Sequence, residues 1–210
     1  MLKNYDVLDT GVIKQLDHNK FVYDENYIAV YKFGFHAVPF MSYLRYGYII
    51  GTLGYVPDSI LDIGYGDGSF LRISKHTIEN CYGYDISGEK IPDRCEFLEY
   101  DEIFKRKFDI VTFFDSLEHM EEIDFLHKLD TRYILVTVPN CHNFSDEWFE
   151  NWKHRKPDEH LYHFSGPALV AHLFKEGYRC VNLTNIEDTL RTSVDHNPNI
   201  LTGIFEKFPE

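Results

Sequence analysis

Cysteine is sparse in this chain. Its 210 residues hold four, Cys81, Cys95, Cys141 and Cys180, lying far apart and without a C-x-x-C pair. That spacing argues against both a disulfide framework and a zinc knuckle. Cys81 and Cys180 fall near predicted strands, where a free thiol behaves as a small hydrophobe. Long apolar runs are missing too: nowhere do 18 apolar residues follow one another, and the opening stretch MLKNYDVLDTGVIKQLDHNK carries charges throughout, with no apolar signal core. Neither export nor a membrane span is expected, so the expected compartment is the cytoplasm. Positive charge is also in short supply, with 21 Lys and Arg against 34 Asp and Glu and a formal net charge of -13. Binding of duplex nucleic acid is driven by cationic side chains that release counterions, so this balance favours small molecules or cationic partners. What the chain has in excess is aromatic rings, 16% of residues, including 15 Tyr and 17 Phe. Such rings line pockets or fill cores.

The length suits one domain with a sizeable core and an N-terminal extension. From residue 59 onward, short β-branched or aromatic runs alternate with amphipathic stretches, the pattern of a βαβ protein with a largely parallel sheet. Strands are predicted at Ser59 to Ile63, Cys81 to Tyr84, Glu96 to Leu98, Phe108 to Phe114, Tyr133 to Val138, Tyr178 to Ile186 and Ile200 to Phe205. Helices are predicted at Ser69 to Ile78, around Glu121 to Leu129, and from Ser165 to about Glu176. In the last of these Ser165 is the cap, Pro167 lies in the first turn and Gly177 is the stop. Residues 1–57 differ in texture. An aromatic segment from Phe21 to Tyr55 is broken by Gly34, Pro39, Gly47, Gly51 and Gly54, and Tyr23, Tyr27 and Tyr31 recur at helical spacing. This part reads either as a helix packed on the edge of a domain spanning 58–210 or as a lid over its ligand.

The richest segment is Ile60-Leu61-Asp62-Ile63-Gly64-Tyr65-Gly66-Asp67-Gly68-Ser69-Phe70-Leu71, a buried strand running into a glycine turn and then a helix. Glycines at spacing two permit backbone dihedrals forbidden to side chains and let a ligand approach the main chain. A dinucleotide turn has the spacing G-x-G-x-x-G and cradles a pyrophosphate. Here the third glycine comes one residue early and Asp62 stands two residues before the first. A carboxylate there repels a pyrophosphate but suits a ligand with an ammonium and a sulfonium, as S-adenosylmethionine (SAM) has. The next strand ends in Tyr84-Asp85, 17 residues after Gly68, placing a carboxylate where ribose hydroxyls can be accepted.

With these residues in hand, the chain resembles the class I SAM-dependent methyltransferases, of the small-molecule type, over about residues 58–206. Asp62-Ile63-Gly64-Tyr65-Gly66-Asp67-Gly68 is similar to the family's first motif, and Asp85 to its ribose-binding acid. Phe113-Phe114-Asp115-Ser116-Leu117-Glu118-His119-Met120 is similar to the fourth-strand motif, in which Leu-Glu-His often follows the strand. The resemblance implies a Rossmann-like three-layer α/β sandwich, with a seven-stranded, mostly parallel sheet whose last strand is antiparallel. It also implies SAM as cofactor, with Asp62, Gly64, Tyr65, Gly66, Gly68, Asp85, Ile86, Asp101, Phe114 and Asp115 around it. Two of the usual helices must be shortened or missing. Only ten residues lie between Asp85 and Glu96, and nine between Leu98 and Phe108, which also weakens the transfer of an adenine contact to Asp101.

Methyl transfer from a sulfonium is an in-line displacement, so the protein mainly aligns the nucleophile and, for a hydroxyl or amine, removes its proton. Ligands bind beyond the carboxyl ends of parallel strands. The loops after Phe114 and after Val138 should therefore border the methyl group. The first holds Asp115, Glu118 and His119, and His119 reads as a general base or as a histidine bonded to cofactor or loop. It lacks the Asp/Asn-Pro-Pro-aromatic motif of amino-group DNA methyltransferases and the Pro-Cys of the cytosine C5 enzymes. The second opens the stretch CHNFSDEWFENWKHRKPDEHLYHF, Cys141 to Phe164, with both tryptophans, four histidines and a cationic run, Lys153 to Lys156. Three readings compete for it. Lys153, Arg155 and Lys156 could hold a substrate phosphate or carboxylate; His142, Asp146, Glu159, His160 and His163 could supply metal ligands; or the stretch is a packed, solvated lid. No metal is assigned, since histidine-rich loops are more often structural.

The reading carried forward is SAM-dependent methylation of a small, anionic or sugar-like metabolite. Catalytic candidates are His119, Asp115 and His160; substrate candidates are His142, Trp148, Arg155, His160 and His163. The alternatives are a catalytically silent SAM- or nucleoside-binding interaction module, and a methyltransferase of a macromolecule. The acceptor atom and the oligomeric state stay open.

Overall fold

A computed structural model of the protein describes residues 3–22, 39–87, 90–191 and 197–209. Its strands are β1 (Tyr5–Val7), β2 (Ile13–Gln15), β3 (Ser59–Ile63), β4 (Asn80–Tyr84), β5 (Glu96–Phe97), β6 (Lys107–Phe114), β7 (Asp130–Pro139), β8 (Tyr162–His163), β9 (Tyr178–Thr184) and β10 (Ile200–Lys207). The α-helices are α1 (Pro39–Leu53), α2 (Ser69–Ser74), α3 (Asp146–Asn151) and α4 (Gly166–Lys175). Seven strands form one sheet in the order β5-β4-β3-β6-β7-β10-β9. Within it β3 runs parallel to β4 and β6, β4 parallel to β5, and β10 antiparallel to β9. These are the seven strands predicted, within two residues at every end but one: β7 starts three residues earlier. The central strands β3, β6 and β7 are buried along nearly their whole length, as parallel strands covered on both faces must be.

By Cα proximity the chain divides into two compact units, one of Tyr23–Phe114 with Lys128–Leu135 and one of Met1–Val22, Asp115–His127 and Val136–Glu210. In the first, Asp109 of β6 accepts the backbone N–H groups of Asp58 (2.8 Å) and Ser59 (2.9 Å), which pins the entry of β3. Helix α1 buries Met41, Ser42, Arg45 and Ile49 and packs on α2. Gly47 and Gly51, read from the sequence as breaks, lie inside α1, and the helix stops at Gly54, where φ is 76°. The helical spacing of Tyr23, Tyr27 and Tyr31 lies outside the described residues. Helix α2 is shorter than predicted. Past Ser74 the chain turns to i→i−3 bonds, His76 to Ile73 and Thr77 to Ser74, while Ser74 Oγ donates back to the Phe70 carbonyl (3.0 Å), a side-chain bond that competes with helix continuation.

In the second unit β1, β2 and β8 form a small antiparallel sheet that periodicity did not reveal, because its strands are only two or three residues long. Helix α4 is capped by Ser165, whose Oγ accepts from the Ala168 N–H, and Gly177 follows it at φ 91°. The helix expected around Glu121 to Leu129 is not formed; one 3-10 turn, Leu126–Lys128, stands there. Its backbone groups bond to tertiary partners instead. Tyr162 Oη donates to the Glu121 carbonyl, Tyr178 Oη to the Leu126 carbonyl (3.0 Å each), and the His127 N–H to Glu176 Oε2 (3.1 Å). No helix among the described residues is long and apolar enough to cross a membrane.

Candidate functional site

The glycine turn joins β3 to α2 with Gly64, Gly66 and Gly68 at φ of 81°, 54° and 71°, all in the left-handed region that favours glycine. Its ends are tied by Gly64 N–H to the Tyr84 carbonyl (2.7 Å) and Gly68 N–H to the Tyr65 carbonyl (2.9 Å). Among the described residues a Cβ at Gly66 would meet nothing within 4 Å, so they leave the turn open on that side. Asp85 holds the turn to the tip of β4: its two oxygens accept the N–H groups of Gly66 (2.8 Å) and Ser87 (2.7 Å). Each oxygen keeps a lone pair for a ligand hydroxyl. Ile86, beside it, is 66% exposed, while Tyr65 is buried against Gly83, where a Cβ would lie 2.7 Å from the ring.

Asp62 is buried and accepts a hydrogen bond from Thr112 Oγ1 of β6 at 2.7 Å. Burial raises its pKa from 3.8 to about 7, against the pull of Thr112 and of Arg45. Arg45, in the buried face of α1, lies over the Phe114 ring at 4.3 Å, and Phe70 packs on that ring at 4.7 Å. Phe114 is therefore a core ring, and Arg45 and Thr112 are site residues that the sequence reading missed. A lone arginine within an apolar helical stretch was the available signal for Arg45; nothing marked Thr112. Asp101 lies exposed in a 3-10 turn, Tyr100–Glu102, beside a ring cluster of Tyr84, Tyr100 and Phe104 with centroids 5.5 and 5.3 Å apart.

In the other unit the chain leaves β6 through Asp115, a non-glycine residue at φ 53°. That strained conformation is held by its N–H to the Thr137 carbonyl (2.9 Å) and by a fork of Arg191 onto both carboxylate oxygens (2.7 and 2.5 Å). Arg191 also reaches buried Glu187 at 3.1 Å. Charge from Asp115 and Glu187 keeps this arginine protonated in spite of its burial. A carboxylate engaged in this way is a positioning group rather than a free base.

Next come Glu118 and His119 in a 3-10 turn that β8 touches. The Leu161 N–H donates to the Glu118 carbonyl (2.8 Å), bringing His160 alongside. Ligand-capable atoms of Glu118, His119 and His160 all lie within 4.8 Å of one another, and the two imidazoles meet edge to face at 4.6 Å. Burial and the Asp115 charge push the Glu118 carboxyl well above the carboxylate range, and burial lowers His119 to about 4 and lowers His160.

The stretch between β7 and β8 splits its residues between two places. His142, Trp148, Trp152 and Lys153 line a groove of about 480 Å³ with Asn140, Asn199 and their neighbours. Ser145 caps α3 there, its Oγ accepting from the Trp148 N–H (3.1 Å), and the indoles of Trp148 and Trp152 stack at 5.4 Å. His142 stacks on Phe144 and donates from Nε2 to the Pro198 carbonyl (2.8 Å). His163 and Arg155, by contrast, turn toward β1. His163 is buried among Tyr5, Phe149 and Trp152, which lowers its pKa to about 3. Arg155 lies over Tyr5 at 5.3 Å and donates to its hydroxyl at 3.3 Å. The cation in the groove is Lys153. The ligand set of His142, Asp146, Glu159, His160 and His163 is not assembled; among the described residues the one metal-capable cluster joins His160 to Glu118 and His119.

A family profile described as Methyltransferase domain matches residues 50–183, well over half of the chain. No curated protein matches it by sequence. Among solved structures, the chain is similar to the 1,6-didemethyltoxoflavin-N1-methyltransferase of Burkholderia thailandensis, crystallised with 1,6-didemethyltoxoflavin and S-adenosylhomocysteine: TM-score 0.58, 14% identity, covering 99% of this chain and 100% of that one. It is similar also to the plantazolicin methyltransferase BpumL in complex with a monoazolic desmethyl analogue and SAH (0.56, 18%, 89% and 91%) and to the YcgJ protein of Bacillus subtilis (0.58, 13%, 79% and 98%). At these identities the likeness is one of fold. With the profile match and the glycine turn together, the chain belongs to the methyltransferase domain family, as a class I, SAM-dependent methyltransferase.

Proposed function

We propose that this protein transfers the methyl group of SAM to a small, anionic or sugar-like metabolite bound beside the stretch from Cys141 to Phe164. The observation that carries the reading is the groove itself. Its volume of about 480 Å³ is that of a small-ligand site, and its two stacked indoles and single lysine, set among asparagines and Glu147, suit a polar small molecule. The net charge of -13 disfavours a nucleic-acid acceptor. The small ligands held by the two methyltransferases named above support the same substrate class.

For the cofactor, Asp62 is proposed to face the ammonium of SAM and Asp85 the ribose hydroxyls. Gly64, Tyr65, Gly66 and Gly68 give the close backbone approach, with Ile86, Asp101 and Phe114 bordering the nucleoside. The open side of Gly66, the buried Asp62 and the anchored Asp85 fit such a ligand. SAM supplies an electrophilic methyl on a sulfonium; the protein's work is alignment and exclusion of water. Asp115, fixed by Arg191, sets the backbone of the loop that carries Glu118 and His119, and His160 completes the polar centre toward which the acceptor is oriented. His142, Trp148 and Lys153 hold the acceptor's body and negative group.

The test is incubation with methyl-labelled SAM and a pool of small metabolites, with RNA and protein as separate acceptors. Label should enter the small-molecule fraction and fall by roughly 10-fold or more in Trp148→Ala, the loss of one well-packed aromatic contact of about 2 kcal/mol. Label confined to RNA or protein, or equal transfer by the variant, would refute the proposal.

A further inference from the structure

Glu118 is 1% exposed, and among the described residues neither of its carboxylate oxygens has a hydrogen-bond partner. A buried carboxylate with no partner carries a desolvation cost that evolution ordinarily offsets with a donor or a cation. The nearest groups are two imidazoles, neither of which hydrogen-bonds to it. His160 donates from Nδ1 to the His154 carbonyl at 2.8 Å, which assigns the lone pair to its Nε2. His119 has its nearer nitrogen, Nε2, 4.0 Å from Glu118 Oε1, too long for a hydrogen bond, and is itself steadied by the backbone carbonyl of Glu159. Ligand-capable atoms of all three side chains thus lie within 4.8 Å of one another, and the backbone bond on His160 is the outer support expected of a ligating imidazole.

Charge around the point has the matching sign. Besides Glu118 itself, Asp115, Glu187 and Glu159 stand against Arg191 and Lys156, which pair with Asp115 and Glu187 and with Glu159. The surplus is one negative charge before Glu118 is counted. We infer that Glu118, His119 and His160 form a binding site for one divalent transition-metal ion, with coordination positions left open for oxygen donors of the acceptor. Two imidazoles and one carboxylate suit zinc, cobalt, iron or manganese better than magnesium, which prefers oxygen ligands. Tetrahedral ligation places ligand atoms roughly 3.4 Å apart, so the 4.8 Å span needs only a modest closing of three side chains. An ion there would lower the pKa of a coordinated hydroxyl and hold it for attack. That role in catalysis rests on the proposed function; the binding does not.

The experiment is titration of the full chain, stripped by chelator and purified without an affinity tag, with Co²⁺, read by visible d–d absorption and by metal analysis. One ion per chain is expected, with affinity lowered by roughly 100-fold in Glu118→Gln and in His160→Gln, and with SAM binding by calorimetry retained in both as the check on folding. Use of two variants keeps the test decisive if either fails to fold. Binding that is absent in the wild type, unchanged in both variants, or abolished by an equal concentration of Mg²⁺ would overturn the assignment. Methyl transfer to small molecules without metal binding would overturn this inference alone, and metal binding without such transfer the functional reading alone.

Discussion

Replacing Asp62 by asparagine should make the ligand-free protein more stable at neutral and alkaline pH while impairing its use of SAM. The folded-state carboxyl, at about 7, lies about three units above its ordinary 3.8, chiefly because burial disfavours the charge. A raised acid pKa means that the folded state keeps a proton that the unfolded chain has released. Between about pH 4 and 7 the folded state therefore binds more protons, and stability falls as pH rises across that window and is level above it. At about 1.4 kcal/mol per unit the loss amounts to about 4 kcal/mol. Asparagine carries no charge and retains an acceptor for Thr112 Oγ1, so it should lose this slope. Urea unfolding at about pH 5, 6, 7 and 8 measures it: the difference between variant and wild type should widen with pH up to about 7 and then hold constant. A pH-independent difference would refute the reasoning, because it would mean that Asp62 ionises alike in both states. Calorimetry supplies the functional half. Loss of one charge-assisted contact, about 1.5–3 kcal/mol, should weaken SAM binding by roughly 10- to 100-fold.

Two further substitutions test the scaffold. Gly68→Ala puts a side chain at φ 71° with its Cβ 2.6 Å from Pro92 Cγ, so urea unfolding should show a loss of at least about 1–3 kcal/mol, with SAM affinity reduced because the turn shifts. Arg191→Met leaves Asp115 and Glu187 buried without their cation and should cost about 3–5 kcal/mol, with partial recovery in the double variant Arg191→Met/Asp115→Asn; equal losses in single and double variants would mean the pair is not coupled.

The reach of the amino-acid sequence differs between the glycine turn and the histidine-rich stretch. Strands β3, β4 and β6 and the glycine turn were legible because their determinants are local: apolar runs of strand length, glycines at spacing two, and acids placed by the strands they follow. The same holds for α4, whose cap, proline and terminal glycine all lie within it. The expected helix near Glu121 failed because its backbone groups found partners more than 40 residues away in Tyr162, Tyr178 and Glu176, which no window of sequence contains.

From the sequence alone followed the family, its seven strands and the glycine turn, since each depends on neighbours along the chain. Only the tertiary structure decided what the histidines do. His163, in β8, and His160, two residues before that strand, point to different company. One joins Glu118 and His119, which stand some 40 residues earlier; the other is buried under Tyr5, near the start of the chain. Arg155 likewise went to Tyr5, leaving the groove to Lys153. Spacing sets which residues share an element, but the partner that meets each face is chosen by packing between distant segments, and that choice separates a buried structural imidazole from one that can bind.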